Sequence, residues 1–195
     1  RAMQLTALAG FLLNCEVPGY AKFDRKNYFY PDASKDYQIT QFDFPSTTTG
    51  YVDFEFGDGI KRVQITRAHI EEDVGKNNHF AQHSGVDFNR AGVPLLEIVS
   101  EPDLRSADMA YEYLNALKDI LIYGGISDCD MEKGMVRCDV NISVRPKGEE
   151  KLGVKVEIKN MNTFSGVRRA INYEVPRQIE TLESGGTLVQ ETRRW

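Results

Sequence analysis

Apolar residues recur at helical spacing in three stretches of the chain and alternate with polar ones between them. Ala2, Leu5, Leu8 and Leu12 lay one apolar stripe along an opening helix. Ala110, Leu114, Leu117 and Leu121, flanked by Tyr113 and Ile120, mark a second helix, with Ser106 placed to cap its start and Gly124-Gly125 to stop it. Phe164, Val167, Ile171, Val175, Ile179 and Leu182 mark a third, closing at Ser184-Gly185-Gly186. Pro176 falls in its middle, where the missing N–H and crowding of the Asn172 carbonyl predict a kink.

Strand periodicity fills the intervals. Val52, Phe54 and Phe56 alternate with Asp53 and Glu55, and Gly57-Asp58-Gly59 turns the chain back toward a strand over 61–67. Further strands are predicted over 95–101, opened by Pro94, and over 136–145 and 154–159. In the strand over 136–145, Val136, Cys138, Val140, Ile142 and Val144 share one face, while Arg137, Asp139, Asn141, Ser143 and Arg145 share the other. This order lacks the steady strand–helix alternation of a parallel doubly wound fold. It predicts α+β architecture, with a largely antiparallel sheet and flanking helices. No repeat or linker interrupts the chain, so 1–195 reads as one unit. Residues 43–51, with Pro45, three threonines and Gly50, read as its flexible loop.

Composition narrows the function. Hydrophobic residues at 41% and charged residues at 27% suffice for a packed core. Lys and Arg number 24 against 29 Asp and Glu, a net charge of −5, which excludes coating nucleic acid by bulk positive charge. No apolar run approaches the roughly 18 residues of a membrane-spanning helix. Both ends read as interior cuts, so the chain is expected to be a piece of a longer protein. Cys15, Cys129 and Cys138 form no Cys-x-x-Cys pair, which favours free thiols and a reducing compartment.

No glycine-rich phosphate loop occurs, so a bound nucleotide would rest on side chains and metal. His69, His79 and His83 lack zinc-site spacing. Acids stand out instead. His69-Ile70-Glu71-Glu72-Asp73 groups three, Asp139 projects from a polar strand face, and Glu97 interrupts the apolar run Pro94-Leu95-Leu96-Glu97-Ile98-Val99. A carboxylate there is either a ligand for a hard cation or one half of a structural ion pair. Lys22, Arg25 and Lys26 precede the aromatic run Tyr28-Phe29-Tyr30. Arg25 and Lys26 either clamp phosphate or carboxylate oxygens or belong to a solvated charged strand start. Lys155, Glu157 and Lys159 share a strand face and read as a solvent-facing ladder.

Longer motifs carry a resemblance. Lys22-Phe-Asp-Arg-Lys-Asn-Tyr-Phe-Tyr-Pro-Asp32, Tyr37-Gln-Ile-Thr-Gln-Phe-Asp43 and His69-Ile-Glu-Glu-Asp-Val-Gly-Lys76 resemble the B subunit family of aspartyl/glutamyl-tRNA amidotransferases. So do the segments 86–103, 136–146 and 190–195, in the same order along the chain. The resemblance implies a catalytic domain similar in fold to glutamine synthetase and guanidino kinases. It implies ATP-dependent phosphorylation of the side-chain carboxylate of Glu-tRNA(Gln) or Asp-tRNA(Asn), followed by amidation with ammonia channelled from a partner A subunit, in a complex that also holds a C subunit. Matched motif by motif, Glu72, Glu97 and Asp139 resemble carboxylates around a divalent metal, Mg²⁺ or Mn²⁺. Lys26 resembles a catalytic lysine of the polar wall, with Glu72 also catalytic. Arg25, Lys26 and Arg137 are implied nucleotide contacts, and Glu71 a further candidate. The family's Gly-Leu-Glu-x-His strand and its C-terminal helical and tail domains are expected outside residues 1–195, and Lys133 stands where Glu is common. The source implied is bacterial cytoplasm or an organellar matrix, without membrane attachment. Two other readings compete: a subunit-docking scaffold whose acids form ion pairs, and a stand-alone Mg²⁺-dependent carboxylate–amine ligase.

Overall fold

A computed structural model describes all 195 residues as mixed α and β structure. In chain order the elements are α1 (Ala2–Leu12), β1 (Asp24–Asn27), β2 (Tyr37–Thr40), β3 (Gly50–Phe56), β4 (Gly59–Glu72), β5 (Lys76–His79), β6 (Ser84–Asp87) and β7 (Pro94–Ser100). Then follow α2 (Ala107–Tyr123), β8 (Val140–Ile142), β9 (Val156–Lys159), α3 (Phe164–Glu183) and β10 (Glu191–Arg194). Four small sheets result, ordered β1-β2, β3-β4-β7, β5-β6 and β10-β9-β8. β1–β2, β4–β7, β5–β6 and β8–β9 pair antiparallel, as expected, whereas β10 runs parallel to β9. The chain divides into two compact units although no linker separates them: Arg1–Asp53 with Arg62–Asp103, and Phe54–Lys61 with Leu104–Trp195.

In the first unit α1 turns a different face inward from the one predicted. Thr6, Ala9 and Gly10 are buried, while Leu8 and Leu12 are exposed. The helix is apolar nearly all round, so periodicity alone does not choose a face; close approach does. A Cβ on Gly10 would come 2.6 Å from Thr47 Cγ2, so only a residue without a side chain fits there. Thr47 lies in the segment predicted to be a flexible loop, yet it is fully buried. Its hydroxyl donates to the Ala68 carbonyl at 2.9 Å and accepts from the Ala68 N–H at 2.8 Å, and Glu16 bridges Thr48 beside it. The segment is pinned along β4. Thr47→Val keeps the shape but leaves both Ala68 backbone groups unpaired. It is expected to cost about 2 kcal/mol, read as a lower urea midpoint with unchanged m-value.

The long strand β4 carries the feature that places the site. Its register with β7 pairs Ile65 with Ser100, then Arg67 with Val99, so Thr66 is an extra residue in β4. The buried apolar positions run Val63, Ile65, then Ala68 and Ile70, a change from odd to even. Beyond the bulge, Arg67, His69 and Glu71 share a face, and His69 stands directly across from Glu97. The Thr66 hydroxyl donates to Glu101 Oε1 at 2.6 Å, and the Thr66 carbonyl accepts from Thr49 N–H at 3.0 Å.

In the second unit α2 and α3 form where predicted. The Ser106 hydroxyl accepts from Met109 N–H, and the Thr163 hydroxyl accepts from Gly166 N–H, at 3.1 and 2.9 Å. The helix continues through Pro176 as one 20-residue element. Ile142, Ile158, Met161, Val167 and Ala170 form the core, with Cys138, Val140, Leu114, Ile171 and Val175 against it. The face assignment of the predicted strand 136–145 therefore holds, but its length does not: only Val140–Ile142 pair with β9. Gly153 presses against the Val144 carbonyl with no room for a Cβ, which marks where the chain folds back.

A polar knot sits inside this unit. Glu174 on α3 is fully buried and accepts from Arg177 Nε at 2.8 Å, Arg177 Nη2 at 2.5 Å and Gln178 Nε2 at 2.9 Å. Gln178 Nε2 also reaches the Ile142 carbonyl at 3.2 Å, and Arg193 Nε on β10 lies 3.8 Å from Glu174. Burial pulls the Glu174 carboxyl upward, but the hydrogen bonds from Arg177 and Gln178 and the arginine charges outweigh it, leaving the group below its ordinary range.

Candidate cation site

His69 and Glu71 project from the same side of β4, and Glu97 joins them from β7. One ligand atom from each lies within 4.8 Å of the others. His69 and Glu71 are 3% and 7% exposed, while the Glu97 side chain keeps 44% exposure and opens the cluster to solvent. His69 Nε2 stands 3.5 Å from Glu97 Oε2. Two neighbours come from the β1–β2 ribbon: Thr40 Oγ1 donates to Glu71 Oε2 at 3.1 Å, and Lys26 Nζ lies 3.8 Å from the same oxygen.

Two carboxylates, Glu71 and Glu97, share the pocket with the positive charges of Lys26 and Arg67. Burial raises the Glu71 pKa and the Glu97 charge raises it further, against opposition from Lys26, the Thr40 hydroxyl and His69. Burial lowers the His69 pKa, with Arg67 and Lys26 helping and Glu71 opposing, so the imidazole is neutral near pH 7. A divalent cation between the carboxylates would remove their mutual repulsion.

The structure brings Lys26 and Glu97 to this cluster but not Glu72. Neighbouring residues of a strand point to opposite faces, and Glu72 lies across from Pro94 on the face away from Glu97. There Lys35 Nζ clasps both its oxygens at 2.5 and 2.7 Å, and Ile39 N–H donates to Oε2 at 2.8 Å. Burial alone would raise the Glu72 pKa, but Lys35 and Ile39 hold it low. Arg25, adjacent to Lys26 and so on the other face of the ribbon, stacks on Tyr37 at 4.8 Å. Asp139 and Arg137 belong to the second unit, where Lys159 Nζ meets Asp139 Oδ2 at 2.9 Å. Sequence patterns assigned no role to His69 and ranked Glu71 below Glu72. The signal for both was the spacing of apolar positions 63, 65, 68 and 70, whose step of three marks the bulge.

Fold and cluster together define a mixed α/β protein whose strands β4 and β7 bring two carboxylates and an imidazole within 4.8 Å of one another. A family model for the GatB/GatE catalytic domain matches residues 1–195, and the chain belongs to that family. It is 56% identical over 193 residues to the B subunit of the aspartyl/glutamyl-tRNA(Asn/Gln) amidotransferase of Persephonella marina, covering 99% of this chain and 41% of the relative. The corresponding B subunits from Listeria monocytogenes and Coxiella burnetii are 55% and 57% identical, over 100% and 98% of this chain. The chain thus spans about two fifths of the length of these relatives.

Proposed function

We propose that this chain is the amidating domain of the B subunit of an aspartyl/glutamyl-tRNA amidotransferase, with a scaffold of the glutamine synthetase and guanidino kinase type. A side-chain carboxylate resists ammonia because it is an anion with no adequate leaving group. ATP transfers its γ-phosphoryl group to a carboxylate oxygen of Glu-tRNA(Gln) or Asp-tRNA(Asn), giving an acyl phosphate and ADP. Ammonia released by the A subunit then attacks the carbonyl carbon, and inorganic phosphate leaves with the electron pair of the broken C–O bond. Partnership with A and C subunits, in a bacterial cytoplasm or organellar matrix, belongs to the same reading.

The convergence of Glu71, Glu97 and His69 supports it most directly, and membership of the family supports the chemistry. Glu71 and Glu97 offer the oxygen donors that Mg²⁺ or Mn²⁺ prefers. Bound there, such an ion would neutralise phosphate oxygens and help hold the phosphoryl group in line. Thr40 fixes the orientation of Glu71, and Lys26 supplies a mobile positive charge at the rim, suited to phosphate oxygens. Arg25, Arg137 and Asp139 enter this reading through their family motifs, as nucleotide contacts and a further acid.

Mn²⁺ binding by this chain, followed by electron paramagnetic resonance, tests the assignment. Glu71→Gln is expected to weaken binding by about tenfold or more, because even residues behind a ligand contribute that much. Glu72→Gln is expected to leave the affinity nearly unchanged. The opposite ranking would move the site to the Lys35 face.

A further inference from the structure

The ribbon that brings Lys26 to the acidic cluster has no backbone ladder to the strand it lies on. β1 and β2 pair only with each other, while β4 belongs to the sheet β3-β4-β7. Hydrogen bonds through side chains make the connection. The Ile39 N–H and the Thr40 hydroxyl end on the carboxylates of Glu72 and Glu71. Gln38 and Gln41 reach the β4 backbone instead. Gln38 Nε2 donates to the Glu72 carbonyl at 2.8 Å, and Gln41 Oε1 accepts from Ile70 N–H at 3.1 Å. Gln41 Oε1 also accepts from Ser46 N–H at 3.2 Å and from the Ser46 hydroxyl at 2.7 Å. These partners fix the orientation of both amides: a carbonyl requires the nitrogen of Gln38, and converging N–H groups require the oxygen of Gln41. The two residues are 9% and 2% exposed, so neither is open to a substrate.

Gln38 stands directly across from Lys26 in the β1–β2 ladder, so tethering it to β4 sets where Lys26 emerges. Lys26 Nζ then lies 3.8 Å from Glu71 Oε2, but its side chain keeps 54% exposure, and so loose an ion pair holds little by itself. We infer that Gln38 and Gln41 are positioning residues: their uncharged amides clamp β2 to the backbone of β4 and so hold Lys26 over Glu71. This deepens the reading above, in which Lys26 serves phosphate oxygens, and rests on it. Uncharged ties have a consequence that ion pairs lack. When phosphate or a cation draws on Lys26 and the carboxylates, the bonds from amide to backbone are not spent. The lysine changes partners while the ribbon stays in place.

Gln38→Met, in the full-length protein assembled with its partners, is expected to lower kcat for tRNA amidation about tenfold or more, since misplacing a reacting group by roughly 1 Å costs up to about 10²-fold. KM for the charged tRNA should stay within about twofold, because a buried side chain adds no contact to the substrate. In a Lys26→Met background the same substitution should add less than about threefold, the mark of residues that act as a unit. An equal loss in both backgrounds would mean that Gln38 does not act through Lys26, and would overturn the inference. Hydrogen exchange over residues 22–41 of the same protein gives a readout apart from activity. A two-stranded ribbon without support is marginal in water, so Gln38→Met and Gln41→Met should each speed exchange there about tenfold, with α2 and α3 unchanged. Glu71→Gln removes the ion pair and neither amide bond, and should leave that exchange within about twofold. Equal loosening by Glu71→Gln and Gln38→Met would assign the hold to the acids and sink the clamp. If Lys26→Met left amidation intact, the reading of Lys26 would fail together with the catalytic half of this inference. Exchange would still decide whether the two glutamines clamp the ribbon.

Discussion

Glu97→Gln, placed in the full-length protein assembled with its partners, is expected to lower tRNA amidation a hundredfold or more while leaving glutamine hydrolysis intact. On the proposed reading, the scale follows from removing one oriented charge from a site that would stabilise developing phosphoryl charge, worth roughly 10²–10³ in rate. Glutamine fills the same volume, so the fold is spared. The side chain is partly exposed, which keeps the structural cost small. Amidated and unamidated tRNA are to be separated after single-turnover reactions; retention of amidation within a few fold would remove Glu97 from the reaction. A companion effect has the opposite sign. Glu71 has a folded pKa above its ordinary 4.5, so its contribution to stability is full below that value and is lost as pH rises through the raised one. Glu71→Gln should therefore make the metal-free chain more stable than its parent at pH 7 while weakening Mn²⁺ binding, the expected tension between stability and a charged site.

The second large effect is structural. Glu174→Ala is expected to cost about 3 kcal/mol, at the lower end of the range for breaking a buried pair. The lower end applies because Arg177 and Arg193, which keep 24% and 38% of their side-chain exposure, can turn toward water once the carboxylate is gone. What they cannot restore is the acceptor lost to Gln178 Nε2, which keeps only the Ile142 carbonyl on β8. The sign with pH is fixed by the lowered pKa. The stability that Glu174 supplies is present above about 4.5 and is lost as pH falls through its depressed folded value. Urea unfolding at pH 7 and pH 3 should show the gap between parent and Glu174→Ala shrinking in acid. A gap that grew in acid would mean that Glu174 is protonated in the native state.

Helix α2 was legible because cap, stripe and stop agree, with Ser106 where its hydroxyl is needed and glycines where the chain must leave; α3 was legible by stripe and stop, and its Thr163 cap is seen only in the structure. Glu97 was legible because an acid in an apolar strand demands a partner. α1 resisted because its inward face is chosen by Gly10 against Thr47, a distance rather than a pattern. β1 and β5, written Asp-Arg-Lys-Asn and Lys-Asn-Asn-His, have no apolar alternation to show. The choice of Glu71 over Glu72 was hidden for another reason. Family motifs align residues along the chain, whereas the face of a strand depends on every residue between it and the nearest bulge. Lys35 on Glu72 and Lys159 on Asp139 are the structural ion pairs that the scaffold reading anticipates, and both lie at positions taken from motif matching.

Thr66 also gives β4 slack. Since it stands unopposed between Ile65–Ser100 and Arg67–Val99, removing one residue there closes the strand onto the pairing it already has. His69 would still meet Glu97, at the loss of the Thr66 bonds to Glu101 and Thr49. The same deletion two residues later, at Ala68, can close the bulge only by moving Arg67 into the fully buried place of Ala68, opposite Ile98. The bulge thus acts as an expansion joint: length changes arriving from the β3–β4 turn can be taken up at Thr66 before they reach the carboxylates.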